Sequence, residues 1–175
     1  MITNFEICTP KLSELPQIVE IFNQAIQNKF STGFQSLQTV ESMNEWFREH
    51  TQEKYPLLIA KQDNTVLGWV EIKPYRKNRK AFDQSVEISY FIHNNFQKQG
   101  IGSALVREME ILAEGIGYKK IIAILMHLNI GSIKLLEGRN YTLCGNITNV
   151  GSVQNTSIHH LYYAKDLLSL QKTNE

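Results

Sequence analysis

The stretch from Ser85 to Met126 limits the folds open to this chain more than any other. Ser85–Ile92 alternates Val86, Ile88 and Tyr90 with the polar Glu87 and Ser89, the period-two pattern of a half-buried strand. A helix is predicted to open near Gly100 and to run to about Glu114, with Ile101, Leu105, Val106, Met109 and Leu112 on its apolar side and Gly115 and Gly117 closing it. The run that follows, Lys120–Met126, is continuously apolar after its first residue and reads as a central strand covered on both faces. A single helix between two strands carries the chain back to its starting edge, so the strands lie parallel in one sheet with a right-handed crossover.

The remaining segments fit around that unit. Phe5, Ile7 and Cys8 form a short opening strand. A helix with Ser13 as N-cap and Pro16 in its first turn then carries Leu15, Ile18, Val19, Phe22 and Ile26 on one stripe. A second helix is predicted from about Thr39 to His50, after a polar loop over Asn28–Leu37. Leu57–Ala60 and Val66–Ile72 make an antiparallel hairpin turning through Lys61–Thr65. A basic, aromatic-studded loop, Lys73–Phe82, leads into the strand at Ser85. Ile130–Glu137 reads as a short helix, and Tyr141–Gly145 and Ile158–Lys165 as terminal strands. The order β-α-α-β-β-β-α-β-α-β-β implies an α/β fold with a mixed, twisted sheet and helices on both faces. Prolines and glycines are scattered singly, so residues 1–175 are read as one domain, with about 171–175 as a frayed polar tail.

Composition removes several function classes. Eighteen Lys+Arg against seventeen Asp+Glu leave a net charge of +1, which argues against a polybasic nucleic-acid binder. Cys8 and Cys144 are too few for a disulfide framework, and no His/Cys group has metal-ligand spacing. No apolar run approaches the roughly 20 residues a membrane span requires, and no signal-like segment stands at the start. The expectation is a cytoplasmic protein without a metal, a nucleic-acid partner or a membrane.

The chemistry is concentrated in Gln97-Lys98-Gln99-Gly100-Ile101-Gly102-Ser103, between a strand and a helix. Glycine lets backbone approach a ligand closely, and the first-turn N–H groups of a helix have no partner inside it. With the positive end of the helix dipole added, such a turn is an anion site suited to phosphate. It lacks the ending of a P-loop, and Leu105 stands where a dinucleotide fingerprint has its third glycine. A tight strand-to-helix turn with no ligand is the plain alternative.

These residues resemble the Q/R-x-x-G-x-G/A motif of the GNAT N-acetyltransferases. A second resemblance follows in order, Asn129-Ile-Gly-Ser132-Ile-Lys-Leu-Leu-Glu137-Gly-Arg-Asn140-Tyr141, which is similar to that family's N-x-x-[SA]-x-x-L-[YH]-E-x-x-G-[FY]. Tyr55–Ala60, the strand holding Gly68, and Ser85–Ser89 look like the phosphinothricin acetyltransferase branch. Two positions depart from the pattern: Leu136 stands for the Tyr or His, and Asn140 for the closing Gly.

The resemblance implies a GNAT-like fold with a splayed central strand pair and acetyl-CoA as co-substrate. It implies transfer of an acetyl group to the primary amine of a small, amino-acid-like acceptor of the phosphinothricin or methionine sulfoximine type, by direct attack in a ternary complex. It favours a homodimer. It assigns cofactor contacts to Tyr90, Phe91 and Ile92, to Gln97 through Ser103 (Lys98, Gln99, Gly100, Ile101 and Gly102 between them), and to Asn129 and Ser132. Glu87 is the implied catalytic base, since an amine with an ordinary pKa near ~8 to ~10.4 is largely protonated at neutral pH. Its plain alternative is a strand Glu in a surface ion pair. Phe34, Tyr75 and Arg76 are the expected acceptor-binding residues. Trp46 is a further candidate, but its helical spacing with Met43 and Phe47 reads first as core. With Leu136 in place, Tyr90, Tyr141 and Tyr162 remain open as proton donors to the thiolate. Lys77, Arg79 and Lys80 read first as a solvated loop, with the adenosine 3′-phosphate of coenzyme A as another partner; His159 and His160 read first as surface histidines, with an acceptor-site role as the alternative, and His127 as core. Two other readings stay open: a non-catalytic CoA-binding regulatory module, which Leu136 motivates, and an acetyltransferase acting on protein N-termini or lysines.

Overall fold

The strands among the described residues are β1 (Glu6–Cys8), β2 (Leu57–Gln62), β3 (Thr65–Pro74), β4 (Ser85–Ile92), β5 (Lys120–Met126), β6 (Thr142–Val153) and β7 (Thr156–Asp166). They form one sheet in the order β1-β2-β3-β4-β5-β7-β6. The helices are α1 (Leu15–Gln27), α2 (Val40–His50), α3 (Ile101–Ile116) and α4 (Ile130–Gly138). This computed structural model describes residues 4–50 and 53–167, so the tail expected at 171–175 lies outside it. The expected element order is the observed one.

Cross-strand register sorts the side chains into two layers. On one face, α1 and α2 set Leu15, Ile18, Phe22, Met43 and Phe47 against Leu57, Ile59 and Trp69. On the other, α3 sets Ile101, Leu105, Val106 and Met109 against Val70, Ile72, Val86, Ile88, Ile121 and Ala123, with Leu136 of α4 completing the layer. Met109 is fully buried there, and its truncation to alanine would cost about 2–5 kcal/mol.

Three local expectations are corrected. Ser13 does not cap α1: a short 3-10 turn over Leu12–Glu14 precedes the helix, and the Lys11 N–H donates to the Glu14 carboxylate at 2.6 Å. Gly115 lies inside α3, and Gly117 alone closes it, at φ 106°. The terminal strands are longer than their apolar cores. The largely exposed residues 146–153 extend β6, and the hairpin turns at Gln154 and Asn155, both at positive φ.

The central feature is where β4 and β5 part. They pair in parallel through Ser85↔Lys120, Val86↔Ile121 and Glu87↔Ile122, and then stop. β4 stays with β3 as far as Gly68↔Ile92, while β5 follows β7 to Met126↔His160. Gly68 makes the first course possible, because a Cβ there would lie 2.6 Å from Ile92 Cδ1 and 2.9 Å from the Phe91 carbonyl oxygen. The splayed strand pair is therefore present, opening at the C-terminal ends of both strands.

Candidate active site

The splay opens into a cavity of about 1500 Å³ that reaches both faces of the sheet. On the α3 side it is lined by Tyr90, Ile92, Gln97, Lys98, Gly100, Gly102, Ser103, Asn129, Ser132 and Leu136. No side chain caps the N-terminus of α3, whose cap residue Gly100 is left-handed at φ 85°. A Cβ at Gly100 would meet nothing within 4 Å, so its glycine is required by backbone conformation. At Gly102 a Cβ would come within 2.8 Å of Leu135 Cδ1, so a larger residue there would have to displace the tip of that side chain. Lys98 is also left-handed, at φ 59°, which turns the loop back toward the helix.

The loop's other side chains work on its own shape. Gln97 Nε2 donates to the Ile92 carbonyl at 3.3 Å and to Asn94 Oδ1 at 3.2 Å, and Gln99 Nε2 donates to the Asn95 carbonyl at 3.2 Å. Ile101 is core, and neither Gln99 nor Ile101 lines the cavity, so any ligand contact there comes from main chain. Asn129 Oδ1 caps α4 by accepting the Ser132 N–H at 3.2 Å, while the residue also lines the cavity. The Tyr90 hydroxyl reaches the Ser132 carbonyl at 3.5 Å, and burial pushes its pKa up to about 12.

These features fit acetyl-CoA. The β4 edge from Ile88 to Ile92 has no strand on its β5 side, so its free main-chain groups suit a pantetheine arm, and an uncapped helix start with a left-handed glycine suits a diphosphate. No His/Cys/Asp/Glu group among the described residues is arranged to hold a metal ion.

The face toward α1 and α2 carries the other chemistry. Register puts Trp69, Glu71 and Lys73 of β3 on the same side as Phe91, Ser89 and Glu87 of β4, their direct partners. Lys73 Nζ lies 3.0 Å from Glu87 Oε1. Glu71 is 6% exposed and accepts the Trp46 indole N–H at 2.9 Å, while His50 Nε2 lies 2.7 Å from the same oxygen. Across the splay, Ile124, Tyr162 and His160 line the same side.

Of the expected acceptor residues, Phe34 lines the cavity, its ring edge-on to Phe22 at 5.3 Å. Tyr75 and Arg76 do not. The Arg76 guanidinium stacks on the Tyr75 ring at 4.7 Å, and that ring packs edge-on to Phe82, outside the cavity. Trp46 is both things expected of it, packing on Trp69 at 5.3 Å and facing the cavity. Among the tyrosines, Tyr90 and Tyr162 line the cavity, whereas Tyr141 is buried in the α3-side core. His127 is only partly buried and stacks on His159 at 4.2 Å. Sequence reasoning missed His50, Glu71 and Lys73. The signal available was an acidic residue in the middle of the apolar strand Val66–Ile72.

A profile described as Acetyltransferase (GNAT) family matches residues 16–141. Phosphinothricin N-acetyltransferase of Streptomyces viridochromogenes is 28% identical over 148 residues, 83% of this chain and 79% of that one. The L-methionine sulfoximine/L-methionine sulfone acetyltransferase of Pseudomonas aeruginosa is 24% identical over 141 residues, 80% of this chain and 81% of its own. Among solved structures, an N-acetyltransferase from Staphylococcus aureus Mu50 superposes with a TM-score of 0.90 at 26% identity, covering 95% of this chain and all of that one. A GNAT superfamily phosphinothricin acetyltransferase from Sinorhizobium meliloti in complex with AcCoA gives 0.87 at 22% identity, covering 93% and 88%.

Proposed function

Because this chain belongs to the GNAT acetyltransferase family and is an acetyl-CoA-dependent enzyme, we propose that its acceptor is the primary amine of a small, amino-acid-like molecule. The observation that carries the reading is the polar wall on the α1/α2 side of the splay, formed by the Lys73–Glu87 pair between β3 and β4 and the His50–Glu71 pair between α2 and β3. Relatives named for phosphinothricin and for methionine sulfoximine support the same class.

The proposed mechanism is direct attack within a ternary complex. Main-chain N–H groups of Gly100–Ser103 and the Lys98 ammonium hold the diphosphate; Asn129 and the free edge Tyr90–Ile92 hold the pantetheine arm. Glu87 takes the proton from the acceptor's ammonium, directly or through a water, so that the neutral nitrogen attacks the thioester carbonyl. A backbone N–H within Tyr90–Ile92 donates to the developing oxyanion. The bonded nitrogen gives its second proton to solvent water as the C–S bond breaks, and the departing thiolate, with an ordinary thiol pKa near ~8.5, needs little acid help. Tyr162, on the acceptor side of the cavity, is the proposed proton donor. Most of the acceleration would come from holding nitrogen and thioester together.

The same proposal takes residues 1–175 as one cytoplasmic acetyltransferase domain, with neither nucleic acid nor membrane as partner. It includes a homodimer joined along β6, where Leu143, Ile147 and Val150 are exposed. The test is free-thiol release from acetyl-CoA with phosphinothricin, methionine sulfoximine, several amino acids and an N-terminal peptide. Turnover of amino-acid-like acceptors is expected; turnover of the peptide alone would contradict the reading.

A further inference from the structure

Three polar or charged side chains are buried among the described residues, and two of them, His50 and Glu71, form one pair on the cavity wall. Their surroundings fix the proton count. His50 Nδ1 lies 2.8 Å from the Trp46 carbonyl oxygen, which only accepts, so Nδ1 carries a hydrogen. Nε2 lies 2.7 Å from Glu71 Oε2, and two bare acceptors at that separation would repel, so one more proton sits between them. The pair is therefore neutral as a unit. Burial works against charge on His50, but the hydrogen bond to Glu71 and its negative charge prevail and raise the imidazole pKa above its ordinary value.

Oε2 of Glu71 is thus occupied twice, by His50 and by the Trp46 indole N–H. Oε1 takes no hydrogen bond from any described residue, although the side chain is only 7% exposed and its residue lines the cavity. Oε1 opens onto the cavity, and a carboxylate oxygen with no donor from the described residues is available to accept one from a bound molecule. Lys73 does not supply it, because its ammonium is paired with Glu87 at 3.0 Å. Glu71 is the register partner of Ser89 and sits one strand, roughly 5 Å, away from the edge where β4 leaves β5. That offset places it beside the body of an acceptor rather than at the nitrogen under attack.

Resting on the amino-acid reading above, we propose that Glu71 is the side-chain specificity residue of the acceptor pocket. Its Oε1 accepts an N–H from the acceptor's distal group, and Trp46 and His50 are the positioning residues that hold its other oxygen. The pocket then selects acceptors whose side chain ends in a neutral or cationic donor, such as a sulfoximine or a primary amide. It disfavours an acceptor-only sulfone, whose oxygens a fixed carboxylate oxygen repels.

L-methionine sulfoximine and L-methionine sulfone differ by one N–H replaced with oxygen, so the wild-type enzyme assayed with both gives the direct test. A preference for the sulfoximine of at least ~10-fold in kcat/KM is expected, carried mainly by KM because the contact is remote from the reacting atoms. In Glu71→Gln, with folding checked by its melting temperature, the ratio falls toward unity. Equal turnover of the two compounds by wild type, or a preference that survives Glu71→Gln, would overturn the proposal while leaving the amino-acid reading intact. Should Glu71→Gln not fold, the wild-type ratio alone decides. Absence of thiol release with every amino-acid acceptor would overturn that reading and this proposal together.

Discussion

Glu71 and Glu110 are both buried carboxylates, on opposite faces of one sheet, and their partners differ in a way that separates scaffold from site. Glu110 of α3 has both oxygens engaged: Arg139 Nε reaches Oε1 at 3.1 Å, while Arg139 Nη2 and Lys165 Nζ share Oε2. The cluster ties α3 to the end of α4 and to β7, and Glu110 does not line the cavity. Among the described residues, Glu71 is held by donors on one oxygen only, and it faces open space. A closed carboxylate has nothing left to offer a ligand, whereas a half-engaged one is oriented and still reactive toward a donor.

The largest effect expected from breaking this contrast is on stability. Glu110→Ala leaves Arg139 and Lys165 without their shared partner, and a loss of about 3 kcal/mol is expected in urea unfolding, with acceptor preference unchanged. On the cavity side, Glu87→Gln should lower kcat by about 100-fold at neutral pH. Partial recovery is expected as rising pH supplies free amine, with little change in melting temperature; a pH-independent loss would mean that Glu87 positions rather than deprotonates. His50→Gln should reduce the sulfoximine preference by several-fold, roughly ~1 kcal/mol of lost hydrogen bonding, because Glu71 loses one of its two holders.

The two clusters also carry opposite pH signatures. Burial alone would raise the Glu110 pKa, but Arg139 and Lys165 prevail and lower it. Its stabilisation is therefore present above the unfolded carboxylate pKa and lost as pH falls through the folded one. His50 is raised, so its contribution is present below the unfolded imidazole pKa and lost as pH rises through the folded value. Melting curves across pH should show Glu110→Gln flattening the acid limb and His50→Gln the alkaline limb. The smallest effect belongs to Arg76→Ala: stacked on Tyr75 outside the cavity, it should change acceptor KM by no more than about twofold.

Much of the fold was legible because its signals are local. Ser85–Ile92 and Lys120–Met126 appear at their expected bounds, and the alternation and apolar run that define them need no tertiary information. The turn at Gly100 was legible for the same reason. The acceptor wall was not, since His50 meets Glu71 only through the packing of α2 on β3, a contact that neither segment's periodicity announces. Arg76 misled in the opposite sense: its type suited a carboxylate clasp, but the loop after Pro74 gave it the Tyr75 ring instead. The length of β6 escaped because residues 146–153 are mostly exposed and their apolar members Ile147, Val150 and Val153 do not alternate with period two, the stretch being held by pairing with β7 rather than by burial.

The central claim is that the splay of β4 and β5 carries the thioester from the α3 side of the sheet to the wall that holds Glu87. A crystal structure with acetyl-CoA bound tests it most directly. The account predicts the diphosphate within about 3 Å of the N–H groups of Gly100–Ser103, with the acetyl carbon between Tyr90 and Leu125 and open toward Glu87. Diphosphate density away from the start of α3, or an acetyl group turned back toward that helix, would contradict it.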